Sequence, residues 1–170
     1  MKLEFNEIGN LKPDKYEITF SEAKEFFVDS FTESETRQRN WTGFCNFLQM
    51  LINFGLTEMQ VWVDGSFVTN KLNPNDVDCV IYIKPEIINS ISKENQENLF
   101  KIFLRQGNDD PHDGFFTDPY ILFDVTDNLD FPYYQECCNK KDYWENWWGH
   151  DRSNNAKGFL VLTIKGGACQ

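Results

Sequence analysis

Apolar residues gather in short runs that are separated by polar, turn-forming segments. Four of these runs are rich in β-branched and aromatic residues and are bounded by Gly, Pro, Asn or Ser, which is typical of strands in a sheet. We therefore predict strands at residues 61–65, 76–83, 119–125 and 158–164.

Apolar residues three and four positions apart predict helices before and between these strands. The first helix begins at a capping box, Thr19-x-x-Glu22, and runs to about Ser30, and the second ends near Gly55. Ser92 is a predicted cap for a helix to about residue 106, and part of 133–148 is also predicted to be helical. The apolar stripes of the first two helices are Ala23, Phe26, Phe27 and Phe31, then Trp41, Phe44, Leu48, Leu51 and Ile52.

These elements predict an α/β (α+β) fold, in which helices flank a mixed β-sheet. A chain of 170 residues, 41% of them hydrophobic, is long enough to bury one core, so we expect a single domain over 1–170. Its N-terminal helical segment, about 1–56, is expected to pack on the sheet. The sequence has neither a membrane-spanning apolar run nor the apolar stretch of a signal peptide, so we expect no membrane contact and a cytoplasmic location.

The formal net charge of −11 restricts the classes of partner. A long, sequence-independent grip on nucleic acid needs clustered Lys and Arg, although one nucleotide can still be bound through a metal. The five cysteines are odd in number and form no C-x-x-C pair, so neither a disulfide framework nor a zinc site is indicated. The acidic segment 108–114 is interpreted as a solvated turn, and His112 and His150 are isolated in sequence.

The candidate chemistry lies on the first two predicted strands. Gly65 and Ser66 end the first strand, nine residues intervene, and Asp76 and Asp78 open the second. Because side chains alternate along a strand, the two carboxylates share one face, where they repel each other unless a cation lies between them. Mg²⁺ prefers carboxylate and phosphate oxygens, and a glycine turn with a hydroxyl and exposed amides can hold a phosphate.

This spacing resembles the core motif of the nucleotidyltransferase superfamily, which includes polymerase beta and tRNA-modifying transferases. A second resemblance, to a little-characterised family of small bacterial nucleotidyltransferase-like proteins, rests on three segments. These are N-E-x-G-x-L-x-P at 6–13, D-G-S-F-x-T-x-K-x-x-P-x-D-x-D at 64–78 and K-G followed by two apolar residues at 157–160. The resemblances imply a polymerase beta-like fold and a metal-dependent transfer of a nucleotide.

The superfamily resemblance also implies a third carboxylate on a neighbouring strand, which completes the metal site and accepts the proton of the attacking hydroxyl. Asp124 is the favoured candidate, because it lies within an otherwise apolar strand and burial of an unpaired charge is costly. Asp118 and Asp127 are its rivals, each at an end of the strand beside a turn residue.

The expected reaction moves a nucleoside monophosphate from a nucleoside triphosphate to a hydroxyl of a protein, a small molecule or an RNA end, and releases pyrophosphate. Asp76, Asp78 and Asp124 would bind Mg²⁺ or Mn²⁺, while Gly65, Ser66 and Lys71 would bind the triphosphate. A protein or small-molecule acceptor is slightly favoured over an RNA 3′ end. The alternative is a catalytically silent binding or regulatory module, in a toxin-antitoxin or phage-defence system for example.

Several other side chains have two interpretations each. Arg37 and Arg39 are interpreted as solvated charges at a helix start, with contact to the site as the alternative. Lys157 either forms an ion pair at the surface or contacts a triphosphate. The aromatic cluster at 144–148 either closes a core or stacks on a base.

Overall fold

The computed structural model of the protein describes residues 2–105 and 114–169. Its centre is a mixed sheet in the order β1-β5-β2-β3-β4, with the short β6 paired to β5. Strand β2 is antiparallel to both of its neighbours, whereas β3 and β4 run parallel, as do β1 and β5. The strands are β1 Lys15–Glu17, β2 Met59–Asp64, β3 Val77–Ile83, β4 Thr117–Phe123, β5 Phe159–Lys165 and β6 Ala168–Cys169.

Helices cover both faces of this sheet. The capping box at Thr19 and Glu22 and the Ser92 cap, both predicted from sequence, are confirmed. The first helix changes to π-helical geometry over its second half, Glu25–Asp29, and a 3₁₀ turn occupies Gly65–Val68. The α-helices are α1 Phe20–Lys24, α2 Arg37–Asn53, α3 Pro85–Ser90, α4 Lys93–Phe103 and α5 Tyr134–Trp148.

Strand alternation divides the buried residues between two cores. The larger core lies under α1 to α4 and takes Val61, Cys79 and Ile81 from the sheet. The smaller core lies under α5 and consists of Trp62, Val80, Tyr82, Leu122, Trp148, Phe159 and Val161. The mixed α/β fold predicted from sequence is therefore confirmed, with the helices of the N-terminal segment packed on one face.

Some sequence predictions differ from the observed structure or lie beyond it. Strand β4 begins and ends two residues earlier than predicted, which brings Asp118 into the strand and leaves Asp124 after it. The segment 108–113, with His112, lies outside the described residues. Within the described residues Cys79, Cys137 and Cys138 are free thiols, and no helix is long and apolar enough to cross a membrane.

Candidate functional site

Four aspartates meet at one edge of the sheet. Because β2 and β3 are antiparallel, Asp64 at the end of β2 pairs with Asp78 near the start of β3. Because β3 and β4 are parallel, Asp78 also pairs with Asp118 near the start of β4. Neighbouring strands lie about 4.8 Å apart, so the carboxylates of Asp64, Asp78 and Asp118 form a row on the face of the sheet that α5 covers. Asp76 lies two residues before Asp78 in the chain.

The row borders a cavity of about 890 Å³. Three parts of the chain line this cavity. The first is the row of aspartates, the second is the turn after β2, and the third is the end of α5 with the loop that follows it. Residues from the first two parts are Asp64, Gly65, Ser66, Lys71, Asp76, Asp78 and Asp118, and residues from the third include Trp147, His150 and Lys157. The structure thus brings five of the six residues predicted from sequence, namely Gly65, Ser66, Lys71, Asp76 and Asp78, to one cavity.

The electrostatics of the row favour a bound cation. The pKa of Asp78 is raised to about 6. Burial is the largest cause, and the nearby carboxylates of Asp76 and Asp118 contribute the rest of the increase. Burial likewise raises the pKa of Asp64 to about 7, although Lys157 and the Gly65 backbone N–H oppose this effect. A positive charge in the cavity would relieve the repulsion among these groups.

Lys157 is buried beside Asp64 and does not lie at the surface. Its Nζ atom is 2.7 Å from Asp64 Oδ1, and its backbone N–H donates to the Gly149 carbonyl at 2.8 Å. The sequence interpretation as a surface ion pair was therefore correct about the type of contact and wrong about its location. Asp64 was missed as a site residue, although its position directly before Gly65 was the available signal.

Asp124 does not join Asp76 and Asp78, so this prediction of its position was wrong. It follows Asp118 by six residues, about 20 Å along the strand direction. Its backbone N–H donates to the Ile83 carbonyl at 2.8 Å, and its Oδ1 atom accepts from the Tyr82 hydroxyl at 2.9 Å. Because β4 runs parallel to β3, its last residues lie beside the end of β3, away from the cavity.

Asp118 is the carboxylate that lies next to Asp78. Its Oδ1 atom forms an ion pair with Arg105, and its Oδ2 atom accepts a hydrogen bond from the Tyr120 hydroxyl at 3.1 Å. The structure therefore supplies a third carboxylate at this edge of the sheet, and both contacts fix its orientation.

The turn after β2 depends on the glycine at its start. Gly65 has a φ of +72°, in the left-handed region that favours glycine, and a Cβ atom there would overlap Asp78 Oδ2. Ser66 follows in the 3₁₀ turn, and its carbonyl accepts a hydrogen bond from the Thr69 hydroxyl at 2.8 Å. The turn can therefore approach the row of carboxylates as closely as it does because residue 65 lacks a side chain.

Arg37 holds this turn from beneath. The guanidinium is fully buried, and it also lies over the Phe31 ring, 3.8 Å from the centroid. The interpretation of Arg37 as a solvated charge was wrong, whereas the exposed Arg39 fits it. Arg37 donates to four backbone carbonyls, those of Phe27, Phe67 and Thr69 at 2.7 Å each and that of Lys71 at 2.6 Å.

The donor atoms at the row fit Mg²⁺ or Mn²⁺, because they are carboxylate oxygens that repel one another. Among residues 2–105 and 114–169, no three His, Cys, Asp or Glu side chains are placed to hold a metal ion by themselves. Mg²⁺ is usually bound by one or two carboxylates together with waters and substrate phosphates, so Asp76 and Asp78 match its usual requirement.

The fold and the site define a mixed α/β protein with an acidic cavity at one edge of its sheet. A family model described as a family of unknown function (DUF6932) matches residues 3–163, and the chain belongs to this family. Neither the search of curated proteins nor the search of solved structures gave a match.

Proposed function

We propose that the protein is a metal-dependent nucleotidyltransferase, which moves a nucleoside monophosphate from a nucleoside triphosphate to a hydroxyl group and releases pyrophosphate. The observation that carries this proposal is the position of the Gly65-Ser66 turn. It lines the same cavity as Asp76, Asp78 and Asp118, so a phosphate at the turn would lie beside the carboxylates. The motif resemblance to nucleotidyltransferases described above supports the same reaction.

Asp76 and Asp78 are the residues that would hold Mg²⁺ or Mn²⁺. A bound divalent ion supplies neutralisation of the charge on the transferred phosphoryl group and lowers the pKa of an acceptor hydroxyl. Both carboxylates line the cavity, and the raised pKa of Asp78, caused first by burial and then by Asp76, supports this assignment.

The other site residues have distinct tasks in this proposal. Ser66 and the backbone of the 3₁₀ turn orient the terminal phosphates, and Lys71 adds a positive charge on the same side of the cavity. Asp118 accepts the proton of the acceptor hydroxyl, a task assigned to Asp124 from sequence and now assigned to Asp118 on its position beside Asp78. Arg105 holds the Asp118 carboxylate in its orientation for this step.

The acceptor is expected to be a protein or a small molecule. The net charge of −11 disfavours contact with many phosphates of a polynucleotide, whereas an RNA 3′ end, the second candidate, needs few such contacts. A labelling experiment distinguishes these three kinds of acceptor.

The proposal is tested by incubating the protein with each α-labelled nucleoside triphosphate, Mg²⁺ and a cell lysate. We expect label to enter material that protease removes or that is small enough to pass a filter, and the Asp76→Ala/Asp78→Ala variant to transfer none. Label found exclusively in ribonuclease-sensitive material would overturn the acceptor preference. Equal labelling by the wild type and the double variant would overturn the proposed site.

The alternative is a module that binds a triphosphate without turnover. The observation that favours it is the ion pair of Asp118 with Arg105, since a carboxylate that is held by a cationic partner is less free to contact an acceptor hydroxyl. Thermal unfolding separates the two functions when it is read beside the labelling result. Mg²⁺-dependent stabilisation by a triphosphate with no transfer of label favours the module, and stabilisation together with transfer favours the enzyme.

A further inference from the structure

The aromatic residues near the end of α5 have different surroundings. Trp148 is buried in the smaller core against Phe159, and Trp144 packs on Tyr120 with ring centroids 4.5 Å apart. These two rings close the core, as one of the two sequence interpretations predicted. Trp147 differs, because it is 59% exposed and lines the acidic cavity.

The Trp147 ring is held in a fixed orientation. Tyr143, one helical turn earlier, stacks against it with a centroid distance of 6.2 Å and an interplanar angle of 12°. Tyr143 is itself in edge contact with Trp144, at 6.0 Å and 83°, so the exposed ring is connected to the core through two others. An indole that is supported on one side and open on another is preorganised to stack on a flat ligand.

The backbone that follows Trp147 is also fixed. The ring Nδ1 of His150 lies 2.8 Å from the Asn146 carbonyl, which secures the end of α5. Asp151 accepts hydrogen bonds from the Ser153 backbone N–H and from the Asn10 side chain, each at 2.8 Å, and so attaches the next loop to the N-terminal segment. These contacts fix the backbone on the α5 side of the cavity.

We propose that Trp147 forms the binding site of the nucleobase, so that the base of the bound triphosphate stacks on its ring. This inference rests on the proposed function, since it places the base of the same nucleotide whose phosphates lie at Ser66. The cavity, at about 890 Å³, lies within the usual size range for ligand sites and is large enough to hold a base and a triphosphate together.

Stacking on an indole tolerates every base, because each base has a π face. Trp147 therefore gives affinity for any nucleoside triphosphate, with purines favoured over pyrimidines by their larger ring area. The ring has no part in holding the phosphates, so a ligand that lacks a base should not depend on it.

The experiment is calorimetric titration of the whole protein with ATP, GTP, CTP, UTP and inorganic tripolyphosphate, each with excess Mg²⁺. We expect the Trp147→Leu variant to bind ATP and GTP about tenfold more weakly than the wild type, with unchanged affinity for tripolyphosphate. Trp147→Phe should restore most of the loss. Tyr133→Leu, which removes an exposed aromatic ring from the other end of the helix, is the matched control and should bind all ligands normally.

The outcomes separate this inference from the proposed function. If Trp147→Leu binds ATP as tightly as the wild type does, the proposed base-binding site is wrong. The proposed function is not affected by that result. An equal loss of ATP and tripolyphosphate binding in Trp147→Leu also overturns the base-binding site, because the ring would then act on the fold of the cavity. Wild-type protein that binds none of the five ligands overturns both proposals.

Discussion

Lys157 Nζ and Asp64 Oδ1 lie 2.7 Å apart in an ion pair whose side chains are 6% and 5% exposed. The pair connects the residues just before β5 to the end of β2, its neighbour in the sheet. It places a positive charge beside Asp64, one of the four aspartates that line the cavity.

Loss of Lys157 should destabilise the fold. Breaking a buried ion pair leaves an uncompensated charge, so we expect Lys157→Met to lower the free energy of unfolding by about 3 kcal/mol or more. Urea denaturation measures this loss. The double variant Asp64→Asn/Lys157→Met is the control, since it removes both charges and should recover a large part of the stability. A double variant whose loss equals the sum of the single losses would show that the two residues do not interact.

Burial of Asp78, together with repulsion from Asp76 and Asp118, should make stability depend on pH. Because the folded protein raises this pKa from 3.8 to about 6, the folded state binds more protons than the unfolded state between those values. The free energy of unfolding therefore falls as pH rises from about 4 to about 6. We expect Asp78→Asn to be more stable than the wild type at pH 7.5 by about 2 kcal/mol, and to lose this advantage near pH 4.

Chemical denaturation at both pH values, in the presence of a chelator, measures that difference. Added Mg²⁺ should stabilise the wild type more than Asp78→Asn, since the metal would bind where the charge is removed. An advantage of Asp78→Asn that is as large at pH 4 as at pH 7.5 would contradict the assignment of its cause to ionisation.

The two-strand motif could be predicted from sequence because its geometry is local. Period-two alternation predicts one face for Asp76 and Asp78, and both line the cavity although Asp76 lies one residue before β3. Gly65 needs only its own left-handed φ. The third carboxylate could not be predicted in this way. Alternation gives Asp118 and Asp124 the same face, and the direction of β4 relative to β3 decides which of them meets Asp78.

Arg37 shows a second limit of local reasoning. An arginine at the start of a helix is ordinarily solvated, as Arg39 is. The acceptors that allow Arg37 to be buried include carbonyls 30 to 34 residues later in the chain, and backbone carbonyls have no signature in the sequence. The burial of the ion pair between Lys157 and Asp64 could not be predicted for the same reason, since it depends on the pairing of β2 with β5.

The positions of Asp118 and Asp124 predict opposite phenotypes. Asp118→Asn should keep Mg²⁺-dependent nucleotide binding and slow transfer by at least about 100-fold, because it removes the proposed proton acceptor. Asp124→Ala should transfer at the wild-type rate and lose about 1–3 kcal/mol of stability, because the Tyr82 and Thr126 groups lose their acceptor. Initial rates and urea denaturation of both variants provide the test. A folded Asp124→Ala variant with no transfer would return the role to Asp124.

The last prediction concerns Arg37, whose guanidinium satisfies three carbonyls of the turn at 67–71 and one of the preceding helix. Arg37→Met removes every donor and leaves those carbonyls buried without partners, at about 1–3 kcal/mol for each unsatisfied group. Relaxation of the turn toward solvent would reduce this cost, so we expect a net loss of about 3 kcal/mol. Arg37→Lys should be intermediate, since an ammonium cannot match the planar fork of a guanidinium.

Hydrogen exchange separates an effect on the turn from an effect on the whole fold. In Arg37→Met, amides at 66–71 should exchange faster than global unfolding accounts for, and amides within α4 should exchange only as fast as it does. The control is Gln38→Met, which changes an exposed side chain next to Arg37 in the same helix and should alter stability by less than about 0.5 kcal/mol. If Arg37→Met unfolded the protein uniformly, with no excess exchange at 66–71, Arg37 would support the core in general. An excess confined to that segment would instead show that the buried guanidinium fixes the turn that carries Ser66.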